Sequence, residues 1–515
     1  MNSCTILWID DEVDSLTSQI IFLKEKGFSI DTISNGYDAI DMVSINHYDI
    51  IFLDENMPGL SGLDTLSKLK EITPAPVIMI TKNEQEQIME EAIGAKISDY
   101  LIKPVNPHQI LLAIKKNLEA VDLVNNQTNA NYQREFLAIG SLINQVKSFK
   151  DWIDIYKKII YWELELDSLK ENNMLDILLS QKKEANTQFF KYVKNNYQNW
   201  IHEKQKDMIM SHNLFQESVI PKLQTEKPTF FLLIDNLRLD QWKVIQPLLE
   251  PYFFIKEKMY CSILPTSTQY ARNSIFSGLL PQEIKSRFPN LWLDDSEEGG
   301  KNLYEKDLLL QQLKSRSCST NISFNKVFNV EHGKKMVQRL NEFLNKSLNV
   351  IIYNFVDILS HSKTEMKMIK ELTNNEKAYR DLTLTWFQNS PLFDLLKNLS
   401  QLDVNIIITS DHGTINVTEP SKVVGEKNIS NNLRYKTGRK IKFDNKDVFF
   451  IDNPDFFGLP KTNISSTYIF GAPSKYFVYP NNYNHYAHHY INTYQHGGVS
   501  LEEMIIPIIS LNPKK

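Results

Sequence analysis

Cysteine is scarce. Cys4, Cys261 and Cys318 are odd in number and far apart in 515 residues, which excludes a disulfide framework and a Cys-x-x-Cys metal cluster and suits a reducing compartment. Long apolar runs are also missing. The stretch 505–509 is interrupted by Pro507 and falls far short of the ~18 residues a membrane helix needs. The opening residues Met1-Asn2-Ser3-Cys4 carry no basic leader, so neither membrane insertion nor a signal peptide is expected, and the location is read as cytoplasmic. Positive charge is not in excess: Lys+Arg 57 against Asp+Glu 62 gives a net charge of −5, so any polyanion must meet a local patch. Proline is absent between Pro107 and Pro221, and Gly140 is the only glycine between them. What is present, 42% hydrophobic and 23% charged residues, is the composition of a folded chain.

Three segments differ in pattern, and their summed length exceeds what one core supports. In residues 1–120, the runs Ile6-Leu7-Trp8-Ile9, Ile50-Ile51-Phe52-Leu53 and Val77-Ile78-Met79-Ile80 alternate with amphipathic stretches. That pattern predicts a doubly wound parallel sheet with helices on both faces. Residues 121–220 read as a helical-bundle connector. Phe136, Ile139, Ile143, Val146, Phe149, Ile153, Tyr156 and Ile160 step by three or four and predict one helix, and Phe190, Val193, Tyr197 and Ile201 predict another. From 221 to 515 the pattern is α/β again. Apolar runs at 229–234, 349–353 and 404–409 lead to Asp235, Asp357 and Asp411-His412, at the strand ends where open α/β sheets bind ligands.

In the first segment, Asp10-Asp11 follow one strand, Asp54 ends another, Thr81 ends a third, and Lys103 follows Ser98-Asp99-Tyr100-Leu101-Ile102. Crowded carboxylates at one sheet edge call for a hard cation, and Mg2+ fits. Beside that ion and Lys103, Asp54 is the expected nucleophile for a phosphoryl group, with Thr81 hydrogen-bonding its oxygens. The segment resembles the receiver domain of two-component response regulators over its whole length, including Asp54-Glu55-Asn56-Met57-Pro58-Gly59 and Lys103-Pro104. The resemblance implies phosphorylation of Asp54, Mg2+ on Asp11, Asp54 and the Asn56 carbonyl near Asp10, and Tyr100 as an aromatic switch.

In the third segment no basic helix-turn-helix is found, and the length is too great for one. Asp357 and His361 are four residues apart and would share a helix face; Asp411 and His412 are adjacent, Asp235 follows a strand, and His496 stands in Gln495-His496-Gly497-Gly498. Three Asp and three His suit two zinc sites of three ligands each. A nucleophile is expected from Pro265-Thr266-Ser267-Thr268, activated by metal contact.

This constellation resembles the alkaline phosphatase superfamily and, by Pro265-Thr266-Ser267-Thr268 with Gly278 and Pro281, its nucleotide phosphodiesterase branch. In that register Thr268, rather than Thr266, is the nucleophile. One zinc would take Asp357, His361 and His496, and the other Asp235, Asp411, His412 and the Thr268 oxygen. A sulfatase is disfavoured, because Cys261-Ser262-Ile263-Leu264-Pro265 lacks Cys-x-Pro-x-Arg.

Receiver, helical connector and phosphatase-like domain in this order resemble the PorX family of response regulators with a PglZ-type output domain. The family implies a zinc-dependent phosphodiesterase acting on linear or cyclic oligonucleotides, a homodimer when phosphorylated, and a PorY-like sensor histidine kinase. It also implies contacts with a sigma factor and with the motor of type IX secretion. Rival readings are a signalling adaptor with incidental catalysis and a phosphomonoesterase. Lys422, Lys427, Arg434, Lys436, Arg439, Lys440 and Lys442 against Glu426 form a basic insertion that either attracts substrate phosphates or is a solvated loop, and Arg272 is expected to meet a phosphoryl oxygen. Tyr483, Tyr486, Tyr490 and Tyr494, stepping by three or four, form either a base-stacking or a packed face.

Overall fold

The computed structural model describes residues 4–82, 97–168, 173–202, 208–318, 320–373, 375–426, 430 and 432–514. They form two compact units, Met1–Asn131 and Tyr132–Lys515. Among the described residues no helix is long and apolar enough to cross a membrane.

The first unit is built on β1 (Thr5–Ile9), β2 (Ser29–Ile33), β3 (Ile50–Asp54), β4 (Val77–Thr81) and β5 (Asp99–Ile102), all parallel, in the order β2-β1-β3-β4-β5. The apolar runs are buried because both sheet faces are covered. Helices Gly36–Ile45 and Gly62–Ile72 pack on one face, and Thr17–Glu25 and Pro107–Ile114 on the other. The parallel register aligns Ile9 with Leu53 and Thr81 with Ile102. The residues that follow, Asp10 beside Asp54 and Lys103 beside Thr81, therefore emerge together at one edge.

The second unit starts within the helix Ala120–Asn144 and continues through Phe149–Asp167 and Asn173–His202. The single helix expected over 136–160 is thus two. Ser148 caps the second through a reciprocal pair with Asp151, a Ser-x-x-Asp signal that competes with the apolar period and ends the first helix before it. These helices share one apolar core with the α/β part. Charged contacts tie them to it as well: buried Arg380 pairs with Glu163, Asp167 and Asp240, and buried Lys182 pairs with Glu163 and Glu502.

The α/β part contains β6 (Thr229–Ile234), β7 (Phe253–Cys261), β8 (Ile322–Val327), β9 (Leu348–Tyr353) and β10 (Asn405–Thr409). Seven short strands follow: β11 (Ile415–Val417), β12 (Glu419–Lys422), β13 (Tyr435–Gly438), β14 (Val448–Ile451), β15 (Thr467–Gly471), β16 (Lys475–Val478) and β17 (Thr493–Gln495). Last comes β18 (Ile505–Pro513). The main sheet runs β7-β18-β10-β6-β9-β8. Strands β10, β6, β9 and β8 are parallel neighbours, and β18 is antiparallel to both β10 and β7. Because β10, β6 and β9 are adjacent and parallel, their carboxyl ends deliver Asp411-His412, Asp235 and the Asp357 helix to one place.

Candidate metal centres

In the first unit, ligand atoms of Asp10, Asp11 and Asp54 all lie within 4.8 Å of one another. Asp10 and Asp54 are buried, and Lys103 Nζ bridges them at 2.8 Å from Asp10 Oδ2 and 2.9 Å from Asp54 Oδ1. Burial raises the Asp54 carboxyl above its usual range; the Lys103 hydrogen bond opposes this, and the Asp10 charge adds to it. A divalent cation would relieve that crowding, so the donor set fits Mg2+. Thr81 Oγ1 donates to Glu55, Asn56 is exposed, and Tyr100 stands on the outward side of β5, 37% exposed.

In the second unit the six sequence-derived ligands fall into two sets, Asp357, His361, His496 and Asp235, Asp411, His412. Each set has its ligand atoms within 4.8 Å of one another. The inner set is buried. His412 Nε2 lies 3.8 Å from Asp235 Oδ1, 3.8 Å from Asp411 Oδ2 and 3.1 Å from Thr268 Oγ1. Thr268 stands at the first position of the helix Thr268–Ser277. Asp235 Oδ1, although buried, has no hydrogen-bond partner among the described residues. Burial pushes the Asp235 carboxyl well above the usual range, against the pull of Arg272, with the Asp411 and Asp357 charges adding to the rise. Burial would raise Asp411 too, but Arg272 and His412 hold it well below that range. One guanidinium is therefore shared by two carboxylates, and a second positive charge is wanted at Asp235 Oδ1.

The outer set is open on one side. Asp357 Oδ1 lies 3.5 Å from His361 Nε2 and 3.9 Å from His496 Nε2, and the His361 side chain is 56% exposed. Burial, with the His412 and His361 charges, keeps His496 neutral well below the ordinary imidazole range. In both sets a backbone carbonyl fixes the other ring nitrogen: His412 Nδ1 faces Gly413 O at 3.2 Å and His496 Nδ1 faces Thr266 O at 3.2 Å. That orientation leaves each Nε2 lone pair directed at the carboxylates, as metal-ligating histidines require. Oriented imidazoles, crowded carboxylates and an orphaned carboxylate oxygen together fit two zinc ions.

Supporting residues went unread in the sequence. Asn236 adopts φ +67, which an Asn tolerates, and folds the chain back so that its backbone N–H donates to Asp411 Oδ1 at 3.3 Å and its amide to Asp357 Oδ1 at 3.4 Å. It therefore touches both sets. Gly497, at φ +117, is required after His496 because a Cβ there would meet Tyr435 and Asn432. Leu264 N–H donates to Tyr197 Oη at 2.7 Å, so the connector helix holds the loop leading to Thr268.

Four expectations change. Arg272 is buried and does not face substrate; it pairs with Asp235, Asp411 and Glu305, because unneutralised carboxylates at the sheet edge draw it inward. Arg434 is fully buried against Glu503, with carbonyls of Ala472 and Lys475 on its other nitrogen. Lys436 is buried, donates to Ser430 O at 2.8 Å and lies over the Tyr479 ring. The basic insertion thus includes a strand, β13, with Lys436 on it and Arg434 just before it both internal. Arg439 remains exposed and pairs with Glu426, and Lys427 lies outside the described residues. The tyrosine series also divides. Tyr483, Tyr486 and Tyr490 belong to the helix Tyr483–Tyr490, whereas Tyr494 lies on β17, stacked on Tyr379 with ring centroids 4.0 Å apart.

Comparison with known proteins follows the same divisions. Residues 6–115 match the response regulator receiver domain, 122–201 the PorX response regulator linker domain, and 214–511 the BREX system PglZ alkaline phosphatase-like domain. Transcriptional regulatory protein ResD of Bacillus subtilis is 32% identical over 114 residues, covering 22% of this chain and 48% of ResD. Transcriptional regulatory protein SrrA of Staphylococcus aureus is 28% identical over 137 residues, covering 27% of this chain and 57% of SrrA. The chain spans about half the length of the curated relatives it matches. A solved two-component response regulator from Clostridium difficile is 32% identical, covering 23% of this chain and 97% of that one, with a TM-score of 0.22. Fold and matches thus define a response regulator receiver domain joined to an alkaline phosphatase-like domain. More particularly, the PglZ match spans more than half of the residues, and the chain belongs to the PglZ alkaline phosphatase-like family, joined to a receiver through a PorX-type linker.

Proposed function

We propose that this chain is a phosphorylation-controlled phosphodiesterase that cleaves linear or cyclic oligonucleotides with Thr268 as nucleophile and two zinc ions as cofactors. The observation that carries this reading is the Thr268 hydroxyl, 3.1 Å from His412 Nε2 and beside the carboxylates of the inner set. Zinc bound by the two sets would make that hydroxyl acidic at neutral pH and offset charge on the phosphoryl group under attack. The protein's own contributions are positional. Thr268 stands at the amino end of its helix, where backbone N–H groups favour an alkoxide and an anionic phosphoryl group. Arg272 fixes Asp235 and Asp411, Asn236 sets the spacing of the two sets, and the exposed side at His361 admits the ester and lets the leaving group depart.

Control would come from the receiver. A phosphoryl donor such as a sensor histidine kinase phosphorylates Asp54 beside Mg2+, and the outward face carrying Tyr100 becomes a homodimer contact. A role in type IX secretion, through a sigma factor or the secretion motor, rests on the family of the linker alone.

The test is cleavage of a short oligonucleotide by the zinc-loaded protein, with and without acetyl phosphate, against Thr268→Val. Turnover that disappears in the valine variant while zinc stays bound is the expected outcome. Equal turnover in both proteins rejects Thr268, and no turnover in either, with two zinc ions bound, favours the adaptor reading.

A further inference from the structure

The helix Tyr483–Tyr490 carries three of the chain's 11 histidines, His485, His488 and His489, and all three are exposed. None belongs to the two candidate centres. The opposite face of the helix is fixed. Tyr483 and Tyr490 pack against Ile415, Val417, Tyr476 and Val478, and Tyr476 Oη donates to Ala487 O at 2.5 Å. Positions 483, 487 and 490 thus anchor the helix, and positions 485 and 489, one turn apart, point to solvent together.

The two imidazoles are nearly parallel. Their planes differ by 13° and their centroids are 6.3 Å apart. Two histidines sharing a tetrahedral ion at an N–metal distance of ~2.0–2.1 Å would bring their centroids to roughly 5 Å. The difference of about 1 Å lies within reach of exposed rotamers, in which His485 meets the Tyr486 ring edge-on at 5.2 Å and His489 the Tyr490 ring at 4.8 Å. Among the described residues, no hydrogen bond or ion pair engages either imidazole; Lys370 Nζ meets only the backbone carbonyl of His489, at 3.3 Å. For comparison, His361 and His496, which the outer set brings together, have centroids 5.9 Å apart.

We propose that His485 and His489 form a third metal site, an open two-imidazole chelate for a borderline divalent ion such as Zn2+, Ni2+ or Cu2+, with water in its remaining positions. Two nitrogen donors without a carboxylate select against Mg2+ and Ca2+. A ring contact joins His485 to His489, whereas among the described residues none joins His488 to either, which makes His488 the internal control. The site stands on the helix itself and does not depend on the phosphodiesterase reading.

The experiment is a zinc titration of the metal-free, full-length protein against a chromophoric chelator, with Cu2+ electron paramagnetic resonance to count bound nitrogens. Expected is one equivalent weaker than those of the buried sets, whose dissociation constant rises at least about ten-fold in His485→Gln and in His489→Gln and stays within about two-fold in His488→Gln. That equivalent survives Asp235→Asn and Asp357→Asn, which separates its fate from that of the catalytic ions. An equal number of zinc equivalents in the wild type and the His485→Gln/His489→Gln variant would overturn the proposal. So would a loss in His488→Gln as large as in the other two.

Discussion

Two positions apart, Thr266 and Thr268 present their hydroxyls to different neighbours. Thr266 is fully buried; its Oγ1 donates to Gly498 O at 2.8 Å and accepts from Gly497 N at 3.1 Å, so it holds the turn that carries His496. Thr266→Val would orphan that Gly497 N–H and lower the unfolding free energy by about 1–3 kcal/mol, measurable by chemical denaturation. Turnover should fall but stay above that of Thr268→Val. Lys436 makes a second, pH-dependent case, since burial alone lowers its ammonium to about 7 from the ordinary value of 10.5. Between those values the unfolded chain binds more protons, so stability rises with pH across that window. Lys436→Met should therefore melt higher than the wild type, with the full gain at and below pH 7 and none left near 10.5. The sequence misplaced Arg272 and Arg434 for one reason. Whether a base is solvated or internally paired depends on acids far along the chain, such as Asp411 for Arg272 and Glu503 for Arg434.

At the scale of elements, strands were the most legible part. An apolar run buried on both faces and leading to Asp needs no partner in sequence to be recognised, and β6 leads directly to Asp235 and β10, past Ser410, to Asp411. The connector was legible as helix but not as part of the α/β core, because its decisive contacts are polar and distant. Arg380 reaches Glu163 at 2.6 Å and Asp240 at 3.1 Å, and Asp240 in turn pairs with Arg238, three residues beyond Asp235. Arg380→Met would leave Glu163 and Asp167 undercompensated in the interior and should cost about 3–5 kcal/mol. Part of that loss should return in Arg380→Met/Glu163→Gln, since the second change removes one stranded charge. Equilibrium unfolding of the two variants checks both statements.

For the whole molecule, metal at the candidate centres should bear on stability as well as on chemistry. Asp235, Asp357 and Asp411 converge with Arg272 as the cation bonded to two of them. Stripping the protein with a strong chelator should lower its melting temperature and abolish hydrolysis, and zinc should restore both where Mg2+ does not. Differential scanning calorimetry before and after zinc addition reads the first effect, and oligonucleotide cleavage the second.

The placement of β18 bears on how the chain comes off the ribosome. That strand lies between β7 and β10, yet it is specified by residues 505–513, long after both neighbours. At ~5–20 residues per second, β7 waits on the order of ten seconds or more for the strand that pairs with it. All five receiver strands, by contrast, have been made by residue 102. The nascent molecule can thus fold its receiver domain early, while two strand edges of its main α/β sheet remain open to chaperones, and to one another's copies on a crowded polysome, until the final stretch of synthesis.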